Sequence, residues 1–292
     1  MFVNASPSRP DTDAHAAAAL ASVRVRGGYR IGVAAAAASG SSQAPATRLT
    51  DLDERGGWRV RFPDSDGTHL DAVTINTGGG ILGGDQVVSV ATIASGDLVL
   101  SSQSAERIYR SLGPPARIDI ALNLGSSARL DWLPQETILF SGARLSRRFD
   151  VEMAPDARLL IAETIVFGRT ASGESMLEGS LVDTWRIHRG GQLVFADNVR
   201  ICGAIERQLA RPTIGGGARA TSMIVYMAPT AEDCLADLRH ELSTASCEWG
   251  ASAWNGMLVA RFMGPDTARV RADTARALLH LTQRPLPRVW QI

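Results

Sequence analysis

Short apolar runs follow one another from Trp58 to Ile201, and glycine, serine, aspartate and proline residues separate them. Apolar runs of this length between turn-forming residues predict β-strands. A weak internal repeat, made of a turn, a strand and an acidic residue, runs through the same region. Its copies are SGDLVLSSQSAERIY, SSARLDWLPQETILF, PDARLLIAETIVF and GGQLVFADNVRI. The pattern predicts a mainly β fold, a distorted β-helix-like stack of short strands.

Two sequence matches define how the repeat copies align. Ala128–Leu130 matches Ala157–Leu159, whereas Glu136–Ile138 matches Glu163–Ile165 at a different spacing. Unequal spacings disfavour a perfect solenoid and leave a distorted β-helix or stacked hairpins as the two forms of stacking. Chance similarity between strand sequences is the alternative to stacking.

The last third of the chain has a different pattern. Thr230 is followed by two acidic residues, which predicts the N-cap of a helix near residues 230–242. Pro265 can begin a second helix near residues 265–282. Between them, Asn255-Gly256 joins two strand-like runs and predicts a type I′ hairpin. One face of the second helix carries the residues Val270, Thr274, Leu278 and Leu281.

The domain organisation follows from length and from the polarity of the N-terminus. With 292 residues, the chain can bury a substantial core. We predict a flexible N-terminus over residues 1–20 and a single β-rich domain over residues 21–292. Acidic and histidine residues interrupt the early apolar positions, and no apolar run reaches membrane-spanning length. We therefore expect a cytoplasmic protein.

The amino-acid composition excludes several classes of function. Basic and acidic residues number 30 each, so neither nucleic acid nor a membrane is predicted as a partner. Every basic residue is arginine, which excludes a Walker-type nucleotide loop and a Schiff-base lysine. The cysteines and histidines form no C-x-x-C or H-E-x-x-H pattern, so no preformed zinc or nickel site is predicted. We predict no catalytic residue and no tightly bound cofactor.

A glycine-rich block, NTGGGILGGD (Asn76–Asp85), lies between two strand-like runs. Glycine loops that bind phosphate open a helix, whereas this block leads into the strand-like Val87–Val90. The block therefore predicts a turn or a closely packed β corner, where glycine permits backbone approach.

Five acidic residues are candidates for transient binding of a divalent cation. Carboxylates and water can hold such ions weakly and with fast exchange. Four of the five take comparable positions in the repeat copies, so stacking would place them in a line along one side of the molecule. For each, solvated charge or an ion pair with an arginine is the alternative. The candidates are Asp85 and the four aligned residues Glu106, Glu136, Glu163 and Asp197.

Four further residues are candidates for a partner interface. Arg107, Tyr109, Arg110 and Trp132 are of types enriched at interface hot spots. The two arginines that flank Tyr109 are difficult to bury, which favours a surface role. A strand tryptophan such as Trp132 is more often a core residue.

Three blocks, NTGGGILGGD, QSAERIYR and LDWLPQETILF, occur in this order between Asn76 and Phe140. Together they resemble the urease accessory protein of the UreD (UreH) family. The resemblance implies a β-helical, non-enzymatic scaffold that binds apo-urease and assists nickel insertion into its active site. It also implies a helical urease accessory protein as a second partner and, through that protein, a nickel-binding GTPase. Nickel would pass transiently along a water-filled internal path.

Two other functions are compatible with the residues. One is a β-helix hydrolase or lyase that uses Glu136 and Glu163 as an acid–base pair. The other is a structural β scaffold with no role in metal transfer.

Overall fold

The computed structural model describes residues 24–36, 46–64 and 69–291. In these residues two large β-sheets face each other, and the two helices nearest the C-terminus pack on the outer side of the second sheet. The fold is therefore mainly β, as the sequence pattern predicts. Residues 1–20, for which we predict flexibility, lie outside the described residues.

The strands of the described residues are numbered in chain order. They are β1 (Arg26–Ala35), β2 (Thr47–Arg55), β3 (Trp58–Arg61), β4 (Leu70–Asn76), β5 (Gln86–Ile93), β6 (Asp97–Ser102), β7 (Glu106–Ile108), β8 (Ala116–Leu124), β9 (Arg129–Leu133), β10 (Thr137–Leu139), β11 (Arg144–Met153), β12 (Arg158–Phe167), β13 (Gly179–Arg189), β14 (Gln192–Gly203), β15 (Ala220–Met227), β16 (Glu248–Trp254) and β17 (Met257–Gly264).

The α-helices of the described residues all follow β14. They are α1 (Ile205–Leu209), α2 (Cys234–Glu241) and α3 (Thr267–Thr282). Short 3₁₀ turns occur at Thr170–Ser172, Leu242–Thr244 and Arg288–Trp290.

The chain passes repeatedly from one sheet to the other. Sheet 1 has the order β14-β13-β11-β8-β5-β1-β2, and sheet 2 has the order β16-β17-β15-β12-β9-β6-β4-β3. Successive passes run through β5 and β6, then β8 and β9, then β11 and β12, so that like strands lie side by side and parallel. The short strands β7 and β10 extend this stack beside the second half of β12. This arrangement is the predicted β-helix-like stack.

Register confirms one of the two repeat matches and corrects the other. Leu130 pairs with Leu159, as predicted. Thr137, however, pairs with Ile165 and not with Thr164. Because side chains alternate across a strand, this shift of one residue turns Glu136 and Glu163 to opposite faces of the sheet.

Two hydrophobic cores result from the alternation of side chains in sheet 2. Leu98 and Leu100 of β6 point towards sheet 1 and join the core between the sheets. Val99, between them, joins a second core with Val270 and Leu278 of α3. Strands with both faces covered are apolar throughout, and β12 has this character because nine of its ten residues are buried.

The glycine-rich block forms a closely packed β corner, as predicted. A Cβ atom at Gly80 would lie 2.4 Å from Cε2 of Tyr109, and Gly80 has a φ of 150°. A Cβ atom at Gly83 would lie 1.9 Å from Oγ of Ser111. Ile81, between the two, pairs with Ile108 beyond the end of the stack.

The C-terminal elements differ from the expectation at one helix start. The residues around Thr230 form turns, and α2 begins at Cys234. α3 begins after Asp266, whose carboxylate accepts hydrogen bonds from the amides of Ala268 and Arg269. Asn255 and Gly256 both have positive φ and join β16 to β17, as a type I′ hairpin requires.

Candidate functional site

Two cavities lie between the sheets. The larger has a volume of about 560 Å³ and is lined by residues of β11 to β17 and α1. The smaller has a volume of about 120 Å³ and is lined mainly by residues of β1 to β9. Exposed residues stand at the rim of each: Glu248 and Arg261 at the larger cavity, Ser104 and Arg107 at the smaller.

A buried charge cluster separates the two cavities. Arg147 of β11 donates from Nη1 to Oε2 of Glu163 at 2.5 Å, and from Nη2 to Oδ2 of Asp183 at 2.7 Å. Its Nε donates to Oδ1 of Asp183 at 3.0 Å. Trp132 donates from Nε1 to Oε1 of Glu163 at 2.8 Å. One guanidinium therefore joins a carboxylate of sheet 1 to a carboxylate of sheet 2.

Local sequence explains why these charges point inward. Alternate residues of β11 are buried, and Arg147 occupies an inward position between Leu145 and Phe149. Asp183 occupies the same kind of position in β13 and pairs directly with Arg147 in the parallel register. The charged group of Arg147 also lies 5.2 Å from the ring centre of Phe149.

The cluster keeps its charges because each one has partners. Burial alone would lower the pKa of Arg147, but Asp183 and Glu163 outweigh burial and raise it above its ordinary value. Burial raises the pKa of Glu163, and the Arg147 guanidinium opposes that shift. Both oxygens of Glu163 accept hydrogen bonds from charged or polar donors, so we assign it as a carboxylate. The three side chains then carry a net charge of about −1.

The smaller cavity contains further polar groups. Asn76 donates from Nδ2 to both oxygens of Glu106, at 3.0 and 3.2 Å. Burial is the largest influence on Glu106 and raises its pKa to about 7. Gln135 is 8% exposed, and its Oε1 accepts a hydrogen bond from Arg271 at 2.8 Å. Its Nε2 has no hydrogen-bond partner among the described residues.

The predicted acidic line is only partly present. Glu106 and Glu163 line the smaller cavity, while Glu163 and Asp197 line the larger one. Asp197 also pairs with Arg261 at 3.0 Å. These three residues therefore border two neighbouring cavities that share Glu163 in their walls.

Two of the predicted acids lie elsewhere. Glu136 pairs with Arg271 of α3 at 2.6 Å, on the face of sheet 2 that is turned away from the cavities. The shift in register described above is the physical reason. Asp85 is 4% exposed and accepts hydrogen bonds from the amides of Val25 and Leu82, which ties down the glycine-rich corner. An acid–base pair of Glu136 and Glu163 is not formed, because the sheet separates them.

The predicted interface residues also divide into two groups. Trp132 is 4% exposed and lies inside the protein, which removes it from the interface candidates and agrees with the core alternative. Its inward position in β9 and its bond to Glu163 explain the burial. Arg107 and Arg110 are exposed. Tyr109 is half-buried, donates from its hydroxyl to the carbonyl of Gly79 at 3.1 Å, and packs edge-on against Phe140.

Sequence reasoning missed three residues of the site: Arg147, Asp183 and Gln135. The sequence pattern marks two of them: apolar residues alternate along β11 and β13, and Arg147 and Asp183 take the place of an apolar residue in these patterns. Among the described residues, no group of three or more histidine, cysteine, aspartate or glutamate side chains could hold a metal ion. In the same part of the chain, no helix is both long and apolar enough to cross a membrane.

The comparison with known proteins agrees with the three sequence blocks. Residues 32–291 match the family model described as UreD urease accessory protein. The chain belongs to the UreD family. A relative named "Urease accessory protein UreD" from Methylobacterium sp. (strain 4-46) is 51% identical over 251 residues, which cover 84% of this chain and 89% of the relative. A relative of the same name from Azorhizobium caulinodans is 44% identical over 270 residues, which cover 92% and 97%.

Relatives of the family extend over nearly the whole chain. The "Urease accessory protein UreD" of Xanthobacter autotrophicus is 43% identical over 284 residues, which cover 97% of this chain and 96% of the relative. These relatives are named as accessory proteins and not as enzymes. The matched region includes nearly all of both sheets and most residues that line the cavities between them.

Proposed function

We propose that this chain is a non-enzymatic scaffold that binds apo-urease and assists the insertion of nickel into the urease active site. Membership of the UreD family supports a role in urease maturation. The observation that carries the proposal is the series of two cavities bordered by Glu106, Glu163 and Asp197. Carboxylates in a hydrated interior offer a divalent cation successive weak positions, as transfer requires.

We propose further that the scaffold acts in a complex and holds nickel only in transit. A helical urease accessory protein would bind this chain and connect it to a nickel-binding GTPase. The chain has no lysine for a nucleotide loop, which supports assigning GTP hydrolysis to that partner. Arg107 lines the smaller cavity, Tyr109 packs against Gly80 of the glycine-rich corner, and the exposed Arg110 follows Tyr109 in the chain. These three residues are candidates for partner contacts.

A reconstitution experiment tests the proposed function. Urease subunits are co-expressed with the accessory proteins, with and without this chain, and the nickel content and activity of purified urease are measured. We expect urease that is present but nickel-poor when the chain is missing. Equal nickel content in both preparations at ordinary nickel supply would contradict the proposal.

A pair of variants tests whether nickel uses the larger cavity. Asp197→Asn removes a charge from the cavity wall and keeps the size of the side chain, so nickel loading should fall several-fold. Asp150→Asn is the control, because Asp150 lies on the outer face of β11 and pairs with Arg148. Loading that is equally unaffected by both changes would exclude the larger cavity as the route.

A further inference from the structure

Arg147 occupies the boundary between the two cavities. Among the described residues, Arg147 and Glu163 are the pair that lines both of them. Arg147 is 3% exposed and Glu163 is 5% exposed, so neither charge is screened by bulk water. An ion that moved directly from one cavity to the other would pass this pair.

The position of the guanidinium is one that a metal ion could take. It lies between a carboxylate of sheet 2, Glu163, and a carboxylate of sheet 1, Asp183. With Arg147 present, the two carboxylates are half neutralised and a dication meets a fixed positive charge. With the guanidinium withdrawn, the same two carboxylates carry the charge that balances one divalent cation.

The surroundings provide room for such an exchange. The larger cavity, which Asp183 also lines, has the volume to receive the displaced arginine side chain.

We propose that Arg147 is an internal gate, whose guanidinium covers a divalent-cation site formed by Glu163 and Asp183 and moves aside when nickel passes. This inference rests on the proposed function for the identity of the ion. The Arg147 guanidinium and the nickel ion then compete for the same two carboxylates. This competition would prevent nickel from remaining in the interior. A structural role for the same ion pair would require none of this, because buried pairs also occur without any ligand.

Nickel binding by the isolated protein tests the covered site. Arg147→Met removes the guanidinium, and we expect Ni²⁺ to bind at least tenfold more tightly by calorimetry and to raise the melting temperature. Adding Glu163→Gln to this variant should abolish the gain. Arg148→Met is the matched control, because Arg148 is the exposed neighbour on the outer face of β11 and should produce no gain. A folded Arg147→Met variant with unchanged nickel affinity would overturn the proposal.

If Arg147→Met does not fold, a charge-balanced variant tests whether Arg147 acts as a gate. Arg147→Met together with Glu163→Gln removes one charge of each sign, so the cluster keeps its net charge. We expect this double variant to load nickel into apo-urease at least threefold faster than Glu163→Gln alone, because the gate is absent. Loading that is equal or slower would reject a gate and leave a structural ion pair.

The two experiments separate failure of the gate from failure of the proposed function. If the unchanged protein does not increase the nickel content of urease, the proposed function is wrong, and the binding comparison still decides whether Arg147 covers a cation site. If the unchanged protein is active but the double variant is no faster than Glu163→Gln, only the gate is wrong.

Discussion

At the scale of single residues, Glu106 is the group in the smaller cavity that responds to pH near neutrality. Burial raises its pKa from 4.5 to about 7, although Asn76 hydrogen-bonds to the carboxylate. Because the folded-state pKa is the higher one, the unfolded state loses the proton first as pH rises. Glu106 therefore lowers the free energy of unfolding progressively between about pH 4.5 and 7.

We expect Glu106→Gln to remove this pH dependence. The amide oxygen can still accept the hydrogen bond from Asn76, and no charge has to be buried. The free energy of unfolding of the variant, relative to the unchanged protein, should rise by on the order of 2 kcal/mol between pH 4 and pH 8. Urea denaturation at both pH values measures the difference, and the value at pH 4 is the internal control. A constant difference would show that Glu106 is not buried as a carboxyl group.

The charge cluster illustrates what residue-level reasoning can and cannot find. Glu163 could be identified from the sequence because it follows a strand in a repeat copy. Its environment could not, because Arg147 and Asp183 come from strands of the opposite sheet. Alternation in β11 and β13 marks both as inward charges, but their meeting with Glu163 depends on the distance between the sheets.

At the scale of elements, the repeat alignment was right where strands are continuous and wrong after an interruption. Trp132 pairs with Ile161, and Thr137 pairs with Ile165. The segment from Trp132 to Thr137 therefore has one residue more than the opposite segment of β12. The extra residue lies in the break between β9 and β10, next to Pro134, which has no amide hydrogen for a ladder. Sequence similarity cannot reveal such a bulge, because it is a property of the pairing.

Helix α3 offers a prediction that belongs to this scale. The Asp266 carboxylate accepts from the amides of Ala268 and Arg269, at 2.9 and 3.2 Å, and so caps the helix that covers the second core. We expect Asp266→Ala to lower the free energy of unfolding by about 1 kcal/mol. Asp266→Asn is the matched control and should lose less, because asparagine is an equally good cap. If denaturation gave the same free energy of unfolding for both variants, the side-chain cap would not contribute to stability.

At the scale of the whole molecule, the cavities arise from how the sheets meet and not from any one motif. Sheet 1 and sheet 2 enclose apolar residues through most of their contact, and polar residues replace them along the line from Asn76 to Asp197. The glycine-rich corner closes near one end of this line, with the exposed Arg107 and Arg110 beside it. A partner that delivers or receives an ion at this end would contact those arginines.

We therefore expect Arg107→Ala combined with Arg110→Ala to weaken partner binding without weakening the fold. Truncation of interface anchors costs about 2 kcal/mol or more, whereas changes at exposed positions alter stability by less than about 0.5 kcal/mol. Affinity for apo-urease and for the helical accessory protein should be measured separately, alongside the melting temperature.

The control for this pair lies on the outer face of sheet 1. Arg30→Ala combined with Arg148→Ala removes two exposed arginines from the outer face of sheet 1 and leaves the glycine-rich corner intact. Both double variants reduce the net charge equally, so a general effect of charge on association would weaken binding in both. Weaker binding only in the Arg107 and Arg110 variant would assign the partner to the corner beside the smaller cavity. Equal binding by all three proteins would exclude that corner as the interface, and the partner surface would then lie elsewhere on the molecule.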